Sequence, residues 1–491
     1  MKVGIDFGTT FSLPSCVING SPSTLLPNGE YGLPSLFYFD TELGIQIGTA
    51  AEDNGIYRPD NLIRDIKMKI SFPDDKFIID RKIFTKKEVV GSILREIGNL
   101  AKEECLRREY ESQDLDGVVI SVPAKFNLRE INIINEAAEM PVHQNGAGLT
   151  VLGFIREPVA AAIAYFNAPK TEDKINILVY DLGGGTCDIA IVRSDKSSAE
   201  WYTVIDSEMQ RIGGRDWDKM VVSLIKQKFI EKYSVSSFNG NEEEEIYRQA
   251  VSTKEMLTRN NVARAQLMVD GRILSCVITR EEFECITAEL LNKTIDMVEK
   301  LIKESSCDID YIVCVGGSSN MPQIKNVLTK KYPSIPVKIY EPEKAIAFGA
   351  AIYAEHLKEP RYLRDICKFS YGARYIDNYE KYHDENRLII YNIIFKGSKL
   401  PAIGTSNSYP FKDNQDGTFL AIYESECKDN KYLPEKGNYI GDISITGLEG
   451  RTKNDTTVLT MVIDQSGLMS LNAVDIKTGK SENVKIQLRK F

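Results

Sequence analysis

The chain has 491 residues, enough for about two to four domains of ordinary size. Hydrophobic residues make up 43% of it and charged residues 27%, which is typical of a folded globular protein and excludes a disordered chain. The formal charge of -9 argues against nonspecific nucleic-acid binding, and no apolar run approaches the roughly 20 residues that cross a membrane. Since a carboxylate at Asp6 stands where a signal peptide needs apolar residues, we expect a cytoplasmic protein with neither nucleic acid nor membrane as a partner.

Up to about residue 357, short β-type runs alternate with longer helical patterns, which predicts an α/β domain. Residues 117–122 and 311–315 have the composition of strands. Residues 87–107 carry apolar side chains at three- and four-residue spacing, which predicts a helix with one apolar face.

From about residue 371 the pattern changes to short strands separated by glycine-containing turns, which predicts a separate all-β domain. The segment before it contains Glu359-Pro360 and mixes charged with apolar residues, as a linker does. We therefore predict a first domain at 1–357, a linker at 358–368 and a β-domain at 369–491.

The nine cysteines are scattered and form no Cys-x-x-Cys spacing, and the chain has only three histidines. We therefore expect reduced thiols rather than disulfides or a zinc centre. Cys187 has apolar neighbours, which favours a core residue over a redox switch.

The first domain carries an internal duplication. A β-type run ending in Asp-x-Gly occurs at 3–8 and again at 178–183. Each is followed far along the chain by Glu-Pro and an alanine-rich helical pattern, which begin at Glu157 and Glu341. Two lobes of the same fold that face each other would place the two Asp-x-Gly turns across a shared cleft.

Both Asp-x-Gly turns have the features of a phosphate site. The runs at 6–10 and 181–186 lie between β-type sequences, so each predicts a strand-turn-strand in which glycine N–H groups can approach phosphate oxygens. Phosphates would repel the aspartates unless a cation lay between them, and Mg²⁺ with a mostly water shell meets this need. A third glycine pair occupies 316–317. One such turn more often closes a hairpin than binds a ligand, but three in the order of a duplicated fold favour a nucleotide site.

A series of linked motifs covers nearly the whole chain: GIDFGTTFS (4–12), VVISVPAKFN (118–127), EPVAAAIAYF (157–166), LVYDLGGGTCDIAIV (178–192), GGRDWD (213–218), VCVGGSSNMPQIK (313–325) and NYIGDISITGLEG (438–450). Together they resemble the seventy-kilodalton heat-shock chaperones, the DnaK-type family, and hence the actin and sugar-kinase ATPases. The resemblance implies an α/β fold with an actin-like (ribonuclease H-like) duplicated ATPase domain, followed by an all-β peptide-binding sandwich. It also implies ATP/ADP and Mg²⁺ as cofactors and slow, Mg²⁺-dependent ATP hydrolysis.

The resemblance assigns roles to matching positions of this chain. It implies a catalytic set of Lys67, Glu157, Asp181 and Thr186, in which the Lys67 ammonium orients the attacking water and offsets charge on the γ-phosphoryl group. It implies that Mg²⁺ is held, mainly through water, by Asp6, Asp181 and Asp188. The nucleotide-binding positions that it implies are Gly8, Thr9, Thr10, Phe11, Gly183, Gly184, Gly185, Thr186, Gly213, Gly214, Lys254, Glu255, Thr258, Gly316, Gly317, Ser318, Asn320 and Glu343. The structural alternatives are a solvated helix lysine at 67 and an ordinary helix-start carboxylate at 157.

The resemblance also implies a peptide groove, formed by Ala373, Tyr375, Ile376, Phe411, Thr418 and Leu420. The alternative is that these side chains only pack the sandwich. The chain departs from the family in stopping soon after the last sandwich strand, so we expect no helical lid. The residues at 361–366, RYLRDI, replace the leucine-rich linker of the family.

The base pocket departs from the family as well. Val251 stands where a glutamate is usual, Glu255 occupies a position that can lie against the base, and Asn320 replaces an arginine that can cover the adenine. We therefore expect nucleotide to bind more weakly than in the family at large, with less discrimination against GTP.

The resemblance implies an ATP-dependent chaperone-like protein that hydrolyses ATP to ADP and phosphate and binds extended polypeptide segments for protein folding. A J-domain co-chaperone and a nucleotide exchange factor are its implied partners. One alternative is a nucleotide-dependent regulatory or scaffold protein with one dedicated partner and weak or vestigial hydrolysis. A small-molecule kinase shares the ATPase fold but leaves the β-domain unexplained.

Overall fold

The computed structural model describes all residues except 28–31, 73–75, 111–113, 142–147, 170, 236, 270, 360, 378–387, 466 and 486–491. The chain divides into two compact units, one formed by residues 1–124 with 134–362 and the other by residues 125–133 with 363–491. The boundary at 362 lies within the segment 358–368 that was expected to be a linker. Among the described residues no helix combines the length and the apolar character needed to cross a membrane.

The first half of the larger unit begins with a strand and ends with an alanine-rich helix. Its strands are β1 (Lys2–Phe7), β2 (Phe11–Ile18), β3 (Ser21–Thr24), β4 (Leu33–Pro34), β5 (Phe37–Asp40), β6 (Gly44–Ile47), β7 (Leu62–Ile63), β8 (Lys76–Ile79), β9 (Lys82–Thr85), β10 (Gly117–Val122) and β11 (Val151–Arg156). Its α-helices are α1 (Thr49–Gly55), α2 (Ile66–Lys69), α3 (Lys86–Arg107), α4 (Leu128–Glu139) and α5 (Glu157–Phe166), of which α4 begins in the residues grouped with the smaller unit.

The second half has fewer strands and longer helices. Its strands are β12 (Lys174–Leu182), β13 (Cys187–Asp195), β14 (Tyr202–Gln210), β15 (Val262–Val269), β16 (Arg272–Thr279), β17 (Tyr311–Val315) and β18 (Val337–Ile339). Its α-helices are α6 (Gly214–Tyr233), α7 (Gly240–Arg259), α8 (Arg280–Ser305), α9 (Pro322–Lys331) and α10 (Ala345–Glu355), and a 3₁₀ turn occupies Gly317–Asn320.

Local sequence signals explain where several of these elements begin. The long helices α3, α7 and α8 each start at a capping box, in which an N-cap side chain and a glutamate three residues later satisfy free backbone N–H groups: Thr85 with Glu88, Asn239 with Glu242, and Thr279 with Glu282. The helix predicted at 87–107 and the strands predicted at 117–122 and 311–315 are confirmed as α3, β10 and β17.

The two halves contain sheets of the same topology. The first has the strand order β11-β10-β1-β2-β3, and the second has the order β18-β17-β12-β13-β14. In both, the first three strands are parallel and the remaining two are antiparallel to their neighbours. The internal duplication is thus present as two equivalent sheets. As a result, Asp6 and Asp181 lie near the carboxyl ends of corresponding central strands.

The alanine-rich helices α5 and α10 follow these two sheets and pack closely on each other. A Cβ atom added to Gly349 of α10 would lie 1.7 Å from the carbonyl oxygen of Ala160 in α5. A Cβ atom at Gly4 would lie 2.1 Å from the backbone nitrogen of Ala351. Glycine at these positions therefore allows α10 to lie directly against both β1 and α5.

The described residues of the smaller unit form β-strands and their connections, apart from residues 125–133 and a 3₁₀ turn at Pro434–Lys436. Its strands are β19 (Leu363–Arg364), β20 (Ser370–Ile376), β21 (Leu388–Ile394), β22 (Ala402–Ser408), β23 (Thr418–Ser425), β24 (Lys431–Tyr432), β25 (Asn438–Ile445), β26 (Thr457–Ile463), β27 (Met469–Asp475) and β28 (Ser481–Lys485). Two antiparallel sheets have the orders β24-β21-β20-β23-β25 and β22-β26-β27-β28. Along β26 and β27, buried and half-exposed residues alternate, as expected for strands with one face in a core.

A buried charged group also belongs to this unit. Arg451 and Asp475 have no exposed side-chain surface and form an ion pair at 3.0 Å between Nε and Oδ2. The Arg451 guanidinium donates hydrogen bonds to the hydroxyls of Thr418, at 2.8 Å, and Thr457, at 3.0 Å. The pair is therefore hydrogen-bonded on several sides, which a buried charge requires.

We predict that Gly349→Ala lowers the free energy of unfolding of the larger unit by about 1–3 kcal/mol, because the new methyl group meets the backbone of α5. A decrease in the free energy of unfolding would be informative, because helix propensity alone favours alanine over glycine by roughly 1 kcal/mol. Gly240→Ala at the start of α7 is the matched control, because the added Cβ there meets no atom of the described residues within 4 Å. Chemical denaturation of both variants checks the prediction, and a Gly349→Ala protein as stable as the control would contradict the close packing of α5 on α10.

Candidate active site

The two Asp-x-Gly turns are in contact with each other. A Cβ atom added to Gly184 would lie 2.1 Å from the Thr10 hydroxyl oxygen, and one added to Gly185 would lie 2.9 Å from that of Thr9. Only glycine lets the second turn approach the first so closely. The structure thus brings together the two turns that the duplication placed across a shared cleft.

Two further glycine sites meet these turns. A Cβ atom at Gly213, the N-cap of α6, would lie 2.5 Å from the carbonyl oxygen of Gly184. A Cβ atom at Gly214 would lie 2.1 Å from the Ser318 hydroxyl oxygen. Gly316 has a φ of +81°, in the region that favours glycine, and its added Cβ would lie 2.5 Å from Asp181 Oδ1. Residues from distant parts of the sequence therefore line one cleft.

Lys67 extends from the short helix α2 into the floor of this cleft. Its ammonium forms an ion pair with the Glu157 carboxylate and donates a hydrogen bond to the carbonyl oxygen of Phe7. The side chains of Lys67 and Glu157 are only 3% and 7% exposed. Glu157 is the first residue of α5 and directly follows β11, which fixes it beside the first phosphate turn. Lys67 is not a solvated helix lysine.

A compact carboxylate group lies next to this ion pair. Oxygen atoms of Glu157, Asp181 and Asp188 all lie within 4.8 Å of one another, and all three residues are buried. Asp181 and Asp188 face each other across the antiparallel pair β12–β13. Within the described parts of the chain, one oxygen of each aspartate, Asp181 Oδ1 and Asp188 Oδ2, has no hydrogen-bond partner. These buried acceptors suit a hard cation such as Mg²⁺.

Asp6 is a fourth carboxylate of the site, close enough to Glu157 and Lys67 for their charges to act on it. It accepts a hydrogen bond of 2.9 Å from the Ser121 hydroxyl, and among the described residues it is not part of the three-carboxylate group. Burial, together with the neighbouring Glu157 carboxylate, raises the pKa of Asp6 to about 7 and that of Asp188 to about 7. The same two causes raise the pKa of Asp181 well above its usual value. A bound cation would therefore stabilise the ionised form of each.

Several residues that support the site are absent from the sequence-based prediction. The Ser121 hydroxyl and the Ala124 amide orient Asp6 and Asp188, the latter through a 2.6 Å hydrogen bond. The buried Ser319 hydroxyl donates to the carbonyl oxygen of Val315, which fixes the third glycine turn after β17. These contacts join residues more than sixty positions apart or use backbone atoms, so residue type gives no signal for them. The sequence indicates Ser121 and Ala124 only through their position in the family motif VVISVPAKFN (118–127).

Most of the residues that were predicted to form a base pocket lie on α7 and in the third glycine turn. The Lys254 ammonium forms an ion pair of 2.7 Å with Asp218 and donates to the carbonyl oxygen of Gly214 at 3.3 Å. The Thr258 hydroxyl donates to the backbone carbonyl of Glu255 at 2.6 Å, and the Glu255 side chain is exposed. Lys254 is thus held close to Ser318, since both lie within 3.4 Å of the Cβ position at Gly214.

The remaining positions of the pocket lie in the third turn and in the approach to α10. Asn320 is the last residue of the 3₁₀ turn and is half-buried. Glu343 is exposed, and its charge is close enough to act on Glu255. Phe11, beside the first phosphate turn, is 50% exposed. These side chains are accessible for binding, and their roles stay predictions.

The six positions expected in a peptide groove fall into two groups. Ala373, Thr418 and Leu420 are buried, and Ala373 and Leu420 belong to the sandwich core while Thr418 binds Arg451. The others are half-buried: Tyr375, Ile376 and Phe411. The Tyr375 hydroxyl shares a 2.7 Å hydrogen bond with Ser406. Only the second group offers side-chain surface to a peptide in this structure, and the groove itself stays a prediction.

Comparison with known proteins gives matches along the whole chain. The family model described as "Hsp70 protein" matches residues 2–490. The chain is 26% identical over 519 residues to a protein of Shewanella sp. (strain ANA-3) called "Chaperone protein HscA homolog", with 99% of this chain and 78% of that protein covered. It is 26% identical over 503 residues to "Chaperone protein DnaK" of Halobacterium salinarum (strain ATCC 29341 / DSM 671 / R1), with 99% and 75% covered.

The pKa values of the site make its contribution to stability dependent on pH when no divalent cation is present. An aspartate in an unfolded chain has a pKa of about 4, whereas Asp188 in the folded protein has a pKa of about 7. The folded state therefore binds more protons between these values, so this contribution is complete below about pH 4 and is lost as pH rises through 7. We predict that Asp188→Asn unfolds at a higher temperature than wild type at about pH 8 in EDTA, and that the difference shrinks toward about pH 5.

Asparagine retains the oxygen that accepts from the Ala124 amide, so the substitution removes the charge and keeps the contact. Thermal unfolding with and without Mg²⁺ provides the control, since the cation should favour wild type over the variant. A variant that is less stable than wild type at both pH values in EDTA would show that the carboxylate is not destabilised by its surroundings.

Proposed function

Because the chain belongs to the Hsp70 family, we propose that it is an ATP-dependent chaperone that hydrolyses ATP to ADP and phosphate in the cleft around Lys67. We propose that its β-sandwich binds extended polypeptide segments and that the two activities are linked. The observation that carries this proposal is the buried Lys67–Glu157 ion pair at the point where the two phosphate turns meet.

Nucleotide binding is proposed to depend on the backbone of the glycine turns. The backbone N–H groups at 8–11 and 184–186 can bind phosphate oxygens because no side chain stands in the way at Gly8, Gly184 and Gly185, while the Gly183 N–H donates to the carbonyl oxygen of Thr186 within the turn. The buried carboxylates Asp181 and Asp188, with Asp6 beyond them, are the residues that would hold Mg²⁺, mainly through water. When bound, Mg²⁺ supplies positive charge to the phosphates.

In the proposed mechanism, the Lys67 ammonium lies where negative charge develops during hydrolysis. It is fixed by Glu157 and by the carbonyl oxygen of Phe7, so it needs little reorganisation when the reaction occurs. Glu157 and Asp181 can accept a hydrogen bond from the attacking water, while the Thr186 hydroxyl, whose contact with Asp188 lowers the pKa of that carboxyl, lies in the second phosphate turn. The burial of these groups excludes bulk water and strengthens each electrostatic interaction.

Polypeptide binding is proposed for the half-buried side chains of the sandwich, Tyr375, Ile376 and Phe411, which are the ones with surface to offer. A J-domain co-chaperone and a nucleotide exchange factor are the proposed partners, by likeness to chaperones of the family. One observation favours the regulatory alternative with a single dedicated partner: Ala373, Thr418 and Leu420 are buried, so a peptide would find fewer side chains to contact. Binding of unrelated unfolded peptides separates the two functions.

We predict that Lys67→Ala slows single-turnover ATP hydrolysis by roughly 10²–10³, because it removes a positive charge from the place where charge develops. Binding of Mg²⁺-ATP should survive, since the glycine turns are unchanged. The matched control is Lys69→Ala, which removes the same charge from the same helix, from a side chain near the Phe77 ring. Rapid-quench measurements of the single-turnover rate in both variants test this prediction. An unchanged rate in Lys67→Ala would show that this residue takes no part in the mechanism.

We also predict that GTP competes with ATP more effectively in this protein than in other members of the family. Loss of a hydrogen bond at Val251 and of a cation–π contact at Asn320 should weaken ATP binding by about 1–3.5 kcal/mol, or roughly fivefold to several-hundredfold. Asn320→Arg should therefore tighten ATP binding. Calorimetry on wild type and this variant tests the idea. Low-nanomolar ATP affinity with strong rejection of GTP in wild type would contradict it.

A further inference from the structure

A small cavity lies at the end of α5 that is farther from the nucleotide cleft. It has a volume of about 260 Å³ and is formed by the last turn of α5, the chain that follows it into β12, and the edge of the second sheet at β17 and β18. Glu157 is the first residue of α5, whereas Tyr165, which lines the cavity, is near the end of that helix. Because a helix rises about 1.5 Å per residue, the two residues are separated by roughly 12 Å along the helix.

Three tyrosines form the walls of this cavity. The rings of Tyr165 and Tyr340 meet edge to face, with centroids 5.3 Å apart, and the ring of Tyr311 is 6.5 Å from that of Tyr165. The Tyr340 hydroxyl donates to the carbonyl oxygen of Ala164 at 3.1 Å, which fixes its ring. Ile175 adds aliphatic surface. The volume exceeds the roughly 150 Å³ that is enough to hold a benzene ring.

The ammonium of Lys338 lies against these rings. Its Nζ atom is 3.7 Å from the centre of the Tyr311 ring, and it donates a hydrogen bond of 2.8 Å to the Tyr165 hydroxyl. Tyr165 is only 7% exposed. An ammonium has three N–H donors, and a phenol that accepts a hydrogen bond can still donate its own proton. Lys338 and Tyr165 can therefore donate together to the two oxygens of one carboxylate.

Two exposed carboxylates lie close to the same rings. Glu172 accepts a hydrogen bond of 3.4 Å from the Tyr311 hydroxyl, and the charge of Glu341 acts on Tyr340. Water and salt screen exposed charges, so these two oppose an anion at Lys338 only weakly. A cationic ligand is disfavoured more strongly, because Lys338 already occupies the face of the Tyr311 ring that would attract it.

From this geometry we propose that the cavity is a binding site for a small aromatic carboxylate. The ring of the ligand packs against the tyrosines, and its carboxylate accepts hydrogen bonds from Lys338 and Tyr165. The site is independent of the proposed function, since none of its residues belongs to the nucleotide cleft or to the sandwich.

The first experiment titrates the full chain with three probes that share a phenyl group and differ in charge: 3-phenylpropanoate, 3-phenylpropanamide and 2-phenylethylamine. We expect 3-phenylpropanoate to bind with a dissociation constant of about 0.1–1 mM, as is reasonable for about ten non-hydrogen atoms. The neutral amide should bind roughly tenfold more weakly or worse, and the amine should show no saturable binding. Equal binding of the acid and the amide, or tighter binding of the amine, would overturn the inference. Ligand-observed NMR measures these affinities.

The second experiment locates the probe with variants of the cavity. Lys338→Met, which keeps a long side chain over the Tyr311 ring, should weaken 3-phenylpropanoate binding roughly tenfold or more, and Tyr165→Phe roughly threefold to tenfold. Glu172→Gln should tighten binding slightly, because it removes an opposing charge. Lys330→Met, on the exposed last turn of α9, removes the same charge elsewhere and should leave binding unchanged.

Thermal unfolding shows whether each variant is folded, and Tyr165→Phe, which removes one oxygen atom, tests the site even if Lys338→Met is unstable. Unchanged binding in Tyr165→Phe and in a folded Lys338→Met would overturn the inference, because the probe would then lie elsewhere.

The third experiment separates this cavity from the two sites of the proposed function. Neither saturating Mg²⁺-ATP nor an unfolded apolar peptide should displace 3-phenylpropanoate from the full chain. Displacement by ATP would place the probe in the nucleotide cleft, and displacement by the peptide would place it in the sandwich, and either result would overturn the inference. A chain that neither hydrolyses ATP nor binds peptide would overturn the proposed function, whereas binding of the probe that depends on Lys338 and Tyr165 would still establish this site.

Discussion

The cleft depends on the buried ion pair between the Lys67 ammonium and the Glu157 carboxylate. Glu157, Asp181 and Asp188 place three carboxylates within a few ångströms of one another, with Asp6 nearby, and such a concentration of like charges resists ionisation. Lys67 is paired with one of them and hydrogen-bonded to the backbone of β1. The negative charge of the site is therefore balanced only in part, and the proposed Mg²⁺ would complete the balance if it entered with the phosphate chain of a nucleotide.

The duplicated fold is what allows this concentration of charge. Two sheets of the same topology carry Asp6 and Asp181 on equivalent strands, and the close packing of α5 on α10 joins the halves at Gly349. Glycine also sets the approach of the turns, since side chains at 184, 185 or 213 would push them apart. The same residues that bring the lobes together thus leave backbone N–H groups available for phosphate.

Residue type and spacing were sufficient to predict the strands at 117–122 and 311–315, the helix at 87–107 and the repetition of Asp-x-Gly, because each depends on local periodicity or on a motif. The positions of Lys67 and Glu157 in one cleft came from the family resemblance. Contacts such as Ser121 with Asp6, or Ala124 with Asp188, join residues that are distant in the sequence, and no local pattern encodes them. Thr418 in the sandwich is a further example of a contact that the sequence does not indicate. Its hydroxyl accepts a hydrogen bond from the buried Arg451, which lies in another part of the chain.

We propose that ATP hydrolysis in this cleft serves the binding of unfolded polypeptide. It is tested most directly by steady-state ATP turnover with and without a panel of unrelated, extended peptides that contain apolar residues, with Lys67→Ala as the blank. We expect several unrelated peptides to raise the turnover of wild type and to compete with one another for the same site. Turnover that no peptide changes, or that responds to one sequence alone, would contradict it.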